Sequence, residues 1–159
     1  MKVVASGGGG GEPPRRPRGR VTIFHNPRCS TSRKVLARLV EAGLDPIIVE
    51  YLNEPPSALL LADLARKAGL HPREMIRTKE PEFAALGRRL EDLSAAAAIA
   101  AMVEHPSLIE RPIVTRGQRA LIVRPPERVE EIIGPPARVI PIRRIRSVKS
   151  GERSRPAKS

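Results

Sequence analysis

The chain has 159 residues, of which 40% are hydrophobic, so its length and composition favour a single folded domain with a hydrophobic core. Its formal charge of +12 lies at the two ends, because residues 21–134 hold sixteen basic and fifteen acidic residues. The charge therefore does not indicate a nucleic-acid surface on the folded part. A single cysteine excludes an internal disulfide and a four-cysteine metal site.

The first 19 residues form a basic extension rich in glycine and proline, which predicts disorder. After Met1 and Lys2, only three small apolar residues precede Ser6, too few for the hydrophobic stretch of a signal peptide. No run of residues approaches the roughly eighteen apolar residues of a membrane helix. We therefore expect a soluble, cytoplasmic protein with no membrane partner.

The ordered part is predicted to begin with a strand, Val21–Phe24, which ends at a turn containing Pro27. A helix follows, opened by the small hydroxyl residues after Cys29 and closed by Gly43. Ile47–Tyr51 is predicted to be the second strand. This order of strand, turn, helix and strand is typical of a parallel crossover.

The segment from residue 53 to residue 104 is predicted to be mostly helical. Two short strands, Ile113–Val114 and Leu121–Val123, then flank Gly117 as a hairpin, and a last helix is predicted over Pro126–Ile133. This order of elements predicts an α/β protein with a thioredoxin-like fold, which carries a helical insertion between its second and third strands.

The end of the chain, residues 135–159, is predicted to be a basic tail behind a folded domain of residues 20–134, with disorder from about residue 141 onward. Such a tail could contact nucleic acid or an acidic membrane surface. However, no aromatic residues interleave the basic ones, as a stacking platform for single strands requires. We interpret it as a solvated tail and expect no nucleic-acid partner.

The segment from His25 to Arg33 bears the chemistry of the chain, because it places Cys29 at a turn from strand to helix. Free backbone N–H groups and the helix dipole stabilise a thiolate there, and nearby cations lower a thiol pKa to roughly 3.5–7.5. The alternative, a buried core cysteine, is disfavoured by the Asn-Pro turn before it and the hydroxyl residues after it. His25 is close enough to interact with the sulfur, although a structural role in the turn stays open.

This segment, His25-Asn-Pro-Arg-Cys-Ser-Thr-Ser-Arg33, closely resembles the active-site loop of the glutaredoxin-coupled arsenate reductases, the ArsC family. Ser30 is a small departure, because the family usually has glycine there. The resemblance covers residues 20–134, about 115 of the 159 residues. Three further matches follow in the expected order: Tyr51–Pro56, Met75–Glu80, and Ile109–Val114 with Val123–Pro125.

The resemblance implies a thiol-dependent reductase that acts on arsenate or a similar oxyanion. Cys29 is then the nucleophile, His25 helps to keep the thiol ionised, and Ser32 donates a hydrogen bond to the thiolate. Guanidinium groups suit the substrate because they are always charged and bind oxyanions through paired N–H groups. The implied oxyanion-binding arginines are Arg77, Arg111 and Arg124, and the implied cis-proline beside the cysteine is Pro112.

The implied reaction begins when Cys29 attacks As(V) and displaces water. Glutathione, a co-substrate, then attacks the arsenic, giving As(III) and a mixed disulfide with Cys29 that glutaredoxin resolves by exchange. With one thiol the chain cannot resolve this disulfide itself, so an external thiol is required. No bound cofactor and no metal are expected, because the three histidines are scattered at spacings that do not suit a metal site.

Two other functions fit the same fold. One is a glutathione-dependent thiol reductase whose substrate is not arsenate. The other is a redox-responsive regulator, whose relatives often carry two cysteines separated by two residues. The second cysteine position of that motif holds Ser32 here, so a disulfide switch within the motif is impossible.

Overall fold

The computed structural model describes residues 19–134, which form a four-stranded sheet with helices packed on both faces. The predicted extension before Gly19 and the predicted tail after Gly134 lie outside the described residues. The strands are β1 (Val21–Phe24), β2 (Ile47–Val49), β3 (Ile113–Arg116) and β4 (Arg119–Ile122). The helices are α1 (Ser30–Glu41), α2 (Ala58–Ala68), α3 (Pro81–Ala85), α4 (Ala95–Glu104) and α5 (Glu130–Ile133). Short 3₁₀ turns lie at Pro72–Met75, Leu90–Asp92, Pro106–Leu108 and Pro126–Val129.

The sheet has the strand order β2-β1-β3-β4. β1 pairs in parallel with β2, which α1 joins to it, and antiparallel with β3. β3 and β4 form the predicted hairpin, in which Gly117 takes a positive φ of 58° that other residues adopt only with strain. The thioredoxin-like fold with a helical insertion between the second and third strands is confirmed.

Alternation along β1 divides the core between the two faces of the sheet. Ile23 packs on the face covered by α1 and the C-terminal helical segment, with Val35 and Leu39 of α1. Phe24 packs on the opposite face, against the residues of the helical insertion. Since both faces are covered, the end of β1 lies between two packed layers, and the loop from β1 to α1 begins there.

Several element ends differ from the sequence prediction, and the hairpin strands are longer at the turn, since β3 runs to Arg116 and β4 begins at Arg119. β2 ends at Val49, because the carbonyl of Glu50 accepts the N–H groups of Asn53 and Glu54, both at 2.9 Å, in a turn. β4 ends at Ile122, and the next N–H, that of Val123, bonds to the carbonyl of Pro112 at 2.9 Å. The predicted last helix is a 3₁₀ turn followed by α5. Among residues 19–134, none of the helices has the length and apolar character to cross a membrane.

Candidate active site

Cys29 is the residue that caps the N-terminus of α1, in an extended conformation with φ −88° and ψ 120°. The turn before it is tight, because the N–H of Cys29 bonds to the carbonyl of Asn26 at 3.0 Å, and the Asn26 side chain accepts the N–H of Arg28 at 2.9 Å. The first helical bond, from Arg33 N–H to the Cys29 carbonyl, is 3.0 Å long. The thiol itself is partly exposed. The predicted position of the cysteine at a helix start is therefore confirmed.

The pKa of the Cys29 thiol results from opposing effects. Partial burial raises this pKa, because it disfavours the charged thiolate. The backbone N–H groups of Ser32 and Thr31 and the guanidinium of Arg111 favour the thiolate, and together they hold the pKa of Cys29 below the ordinary thiol value. The sulfur is therefore prepared to act as a nucleophile.

His25 and Ser32 form a buried pair beneath the turn. The Nδ1 atom of His25 lies 2.8 Å from the Ser32 hydroxyl, which also accepts the N–H of Asn26 at 3.1 Å. Burial lowers the pKa of His25, and the positive charge of Arg33 lowers it further, whereas the negative charge of Glu50 raises it. The net effect is a lowered pKa, which favours the neutral imidazole. The pair therefore holds the turn together. The predicted direct action of both side chains on the sulfur stays a prediction.

Three separate segments carry the arginines that the sequence singles out, and hydrogen bonds join these segments. An isolated bridge between Ile76 and Ile109 places the N–H of Arg77 at 2.7 Å from the carbonyl of Leu108. Beyond β4, the Nε atom of Arg124 donates to the Arg111 carbonyl at 3.0 Å. Of the three arginines, Arg111 is the one placed against the sulfur.

Two glutamates that the sequence analysis did not single out connect the three arginines. Glu80 Oε1 lies 2.6 Å from Arg77 Nε and 3.3 Å from an Arg111 terminal nitrogen. Glu110 Oε2 lies 3.9 Å from an Arg77 terminal nitrogen and 3.8 Å from Arg124 Nε. Glu80 follows Arg77 by three residues in a turn, where the N–H of Glu80 bonds to the Arg77 carbonyl at 3.3 Å, so the short separation of these opposite charges could have signalled the first pair. Within residues 19–134, no three His, Cys, Asp or Glu side chains are grouped closely enough to hold a metal ion.

The peptide bond between Arg111 and Pro112 is cis, and so is the bond between Arg124 and Pro125, which the sequence analysis did not single out. Pro112 is buried directly before β3, where its carbonyl accepts the N–H of Val123. Arg111 is largely covered, with 15% of its side chain exposed, and its buried Nε atom has no hydrogen-bond partner within residues 19–134. The segment that carries Arg111 is thus anchored on both β3 and the end of β4.

A pH titration of thiol reactivity checks the activation of Cys29. We expect its alkylation rate with iodoacetamide to reach half-maximum at a lower pH in the folded protein than in the same protein unfolded in urea. Because folding lowers this pKa, the stabilisation it brings is fully present above the unfolded thiol pKa and is lost as the pH falls through the folded pKa. An equal or higher midpoint in the folded protein would contradict the activated thiolate.

Comparison with known proteins assigns this chain to a family. The family model described as the ArsC family matches residues 24–132. The Escherichia coli K12 protein YfgD is 47% identical over 115 residues, which cover 72% of this chain and 97% of YfgD. The arsenate reductase of Haemophilus influenzae is 46% identical over 114 residues, 71% of this chain and 98% of that protein. The structure of an arsenate reductase from Vibrio cholerae, 45% identical, matches with a TM-score of 0.67 over 72% of this chain and 98% of its own. This chain belongs to the ArsC family.

Proposed function

We propose that the protein reduces arsenate to arsenite through Cys29, with glutathione and glutaredoxin as the electron donors. The observation that carries this proposal is the contact of Arg111 with the sole, activated thiol, together with the connection of Arg111 to two further arginines. The relatives from Haemophilus influenzae and Vibrio cholerae, both named arsenate reductases, support the same substrate.

The electrostatics of the site suit a tetrahedral oxyanion. Arsenate carries negative charge near neutral pH and is repelled by a thiolate, so a nucleophilic attack on it needs positive charge close to the sulfur. Arg111 supplies this charge at the sulfur, and Arg77 and Arg124 lie on joined segments beside it. Their guanidinium groups provide charged donors in a fixed planar arrangement that matches the oxygens of the anion.

The proposed reaction balances in three steps. The thiolate of Cys29 attacks As(V), forming a sulfur–arsenic bond while one arsenate oxygen takes up protons and leaves as water. The sulfur of glutathione then bonds to the same arsenic, and a second arsenic oxygen takes up protons and leaves as water. The two sulfurs couple to a disulfide, and the electron pair left on arsenic makes it As(III), which takes up one water and leaves as arsenite.

The remaining step restores the enzyme. The chain contains one cysteine, so the disulfide between Cys29 and glutathione needs an outside thiol to open it. Glutaredoxin performs this exchange by attacking the glutathione sulfur, which returns Cys29 to the thiolate. We place this reaction in the cytoplasm, where glutathione is kept reduced.

The proposal is tested by following arsenate-dependent NADPH oxidation with glutathione, glutaredoxin and glutathione reductase present, and then with each omitted. We expect turnover that stops when either glutathione or glutaredoxin is left out. No turnover with arsenate, in a protein that still forms a glutathione adduct at Cys29, would contradict the arsenate substrate. The function would then be that of a thiol reductase with another substrate.

A carboxylate of the site is expected to compete with the anion for the arginines. Glu80 shares Arg77 and Arg111 with the incoming oxyanion, so its charge opposes binding. We expect Glu80→Gln, which keeps the shape of the side chain and removes its charge, to lower the KM for arsenate about threefold. Steady-state kinetics at fixed glutathione measures this change.

Asp63 provides the matched control for this substitution. It is a carboxylate paired with two cations, Arg66 at 2.7 Å and Lys67 at 2.7 Å, but it lies on α2, and neither cation is one of the three arginines of the site. We expect Asp63→Asn to leave the KM for arsenate unchanged. A KM that stays the same or rises in the Glu80 variant would show that this carboxylate orients the arginines rather than competing with the anion.

A further inference from the structure

Tyr51 ends in a buried hydroxyl group that has no hydrogen-bond partner among the described residues. The residue follows β2, in the turn formed by the carbonyl of Glu50, and it is 1% exposed. Its ring belongs to the core on the face of the helical insertion. Buried hydroxyl groups are usually hydrogen-bonded, because a buried hydroxyl without a partner destabilises the fold. The Tyr51 hydroxyl is therefore a candidate for a hydrogen bond to a bound ligand.

The polar surroundings of this hydroxyl are those of the active thiol. The Arg111 side chain lies beside both the Tyr51 hydroxyl and Cys29. The charge of Cys29 also raises the pKa of Tyr51. The Nε atom of Arg111 is a second buried donor for which the described part of the chain provides no hydrogen-bond partner. The Tyr51 hydroxyl and the Arg111 Nε–H, which form no hydrogen bond of regular geometry among the described residues, therefore lie next to the sole cysteine, with the side chains of Arg111 and Asn26 close to the hydroxyl oxygen.

We propose that Tyr51 is a further catalytic residue, whose hydroxyl donates a hydrogen bond to an oxygen of the tetrahedral oxyanion bound at Cys29. This inference rests on the proposed function to the extent that the ligand is an oxyanion. The hydroxyl oxygen is covered in this structure, so a neighbouring side chain moves when the anion binds. Arg111 is that neighbour, because the anion competes with Glu80 for its guanidinium group.

The phenol suits this task because it stays neutral. Burial raises the pKa of Tyr51, with a further contribution from the charge of Cys29, and this outweighs the opposing effects of Arg111 and Asn26. A protonated phenol is a hydrogen-bond donor over the whole range in which Cys29 changes charge. It therefore holds an anion oxygen without changing the charge balance of the three arginines and two glutamates.

The variant Tyr51→Phe removes the hydroxyl and keeps the ring. We expect the dissociation constants of arsenate, phosphate and sulfate, measured by their protection of Cys29 against iodoacetamide, to rise about tenfold. The kcat/KM for arsenate should fall about tenfold to a hundredfold. The thermal midpoint without anion should stay the same or rise, because the lost hydroxyl forms no hydrogen bond of regular geometry among residues 19–134.

The wild-type protein offers a second measurement that needs no variant. The chain contains one tyrosine and no tryptophan, so its tyrosine absorbance reports Tyr51 alone. A hydrogen bond donated to an anion favours the protonated phenol, so saturating sulfate should move the spectrophotometric titration of Tyr51 to higher pH. An unchanged titration, in a protein that sulfate protects from alkylation, overturns the inference.

The results of these measurements distinguish the role of Tyr51 from the identity of arsenate as the substrate. Anion protection that depends on Tyr51, in a protein without arsenate turnover, supports the hydroxyl contact and overturns the arsenate substrate. Arsenate turnover with the same kcat/KM and the same anion protection in Tyr51→Phe overturns the role of Tyr51 and leaves the proposed function standing. A wild-type protein that none of the three anions protects overturns the inference together with the oxyanion site.

Discussion

Cys29→Ser is expected to lower the kcat/KM for arsenate reduction by more than about 10³-fold, the scale typical for loss of a covalent nucleophile. The thiol is needed both for the attack on arsenic and for the later coupling with glutathione. A serine hydroxyl stays protonated under the conditions in which the backbone N–H groups of Thr31 and Ser32 and the guanidinium of Arg111 stabilise a thiolate. Its oxygen also cannot couple with a glutathione sulfur, so no electrons reach the arsenic. The coupled NADPH assay measures the loss.

The matched control for this substitution is Ser30→Ala, one position further along the same turn of α1. The Ser30 side chain is exposed, so its removal should leave turnover close to that of the wild type. Mass spectrometry should detect a glutathione adduct on the control and none on Cys29→Ser, which contains no thiol. Residual activity above about one tenth of the wild type in Cys29→Ser would show that the thiol is not the nucleophile.

Local sequence patterns were sufficient to predict the part of the site that is built locally. The strand Val21–Phe24, the turn at Asn26-Pro27 and the start of α1 follow one another within ten residues, and each has its own signal in residue type or spacing. The position of Cys29 at a helix N-terminus follows directly from this order. The helical insertion was similarly predicted from periodic apolar residues, and the structure confirms its place between β2 and β3.

The part of the site that depends on contacts between distant segments could not be predicted this way. Glu80 meets Arg111 only because the bridge between Ile76 and Ile109 brings their segments together, and no local pattern encodes that pairing. The buried hydroxyl of Tyr51 was missed for the same reason, since its neighbours lie in the loop after β1 and the segment before β3. The element ends at Val49 and Ile122 were also set by turn and cross-segment hydrogen bonds.

Arg111→Gln is expected to lower the kcat/KM for arsenate about 10²-fold to 10³-fold, the range measured when one oxyanion donor is removed from an active site. Two consequences of the lost charge add together. The pKa of Cys29 rises, because the guanidinium no longer stabilises the thiolate, and the incoming anion loses a charged donor at the point of attack. Glu80 keeps its contact with Arg77 at 2.6 Å, so the neighbouring segment retains an ion pair that holds it.

The control is Arg66→Gln, which also breaks an ion pair, here with Asp63 at 2.7 Å on the exposed surface of α2. It should change neither the thiol pKa nor the kinetics.

In Arg111→Gln, a higher alkylation midpoint together with a higher KM would assign both effects to this one side chain. A raised KM with an unchanged midpoint would mean that Arg111 binds the anion while the amides of α1 alone activate the sulfur. An unchanged kcat/KM would contradict an oxyanion site at Arg111, because the loss of a guanidinium that lies beside the nucleophile and is proposed to bind the substrate should slow the reaction.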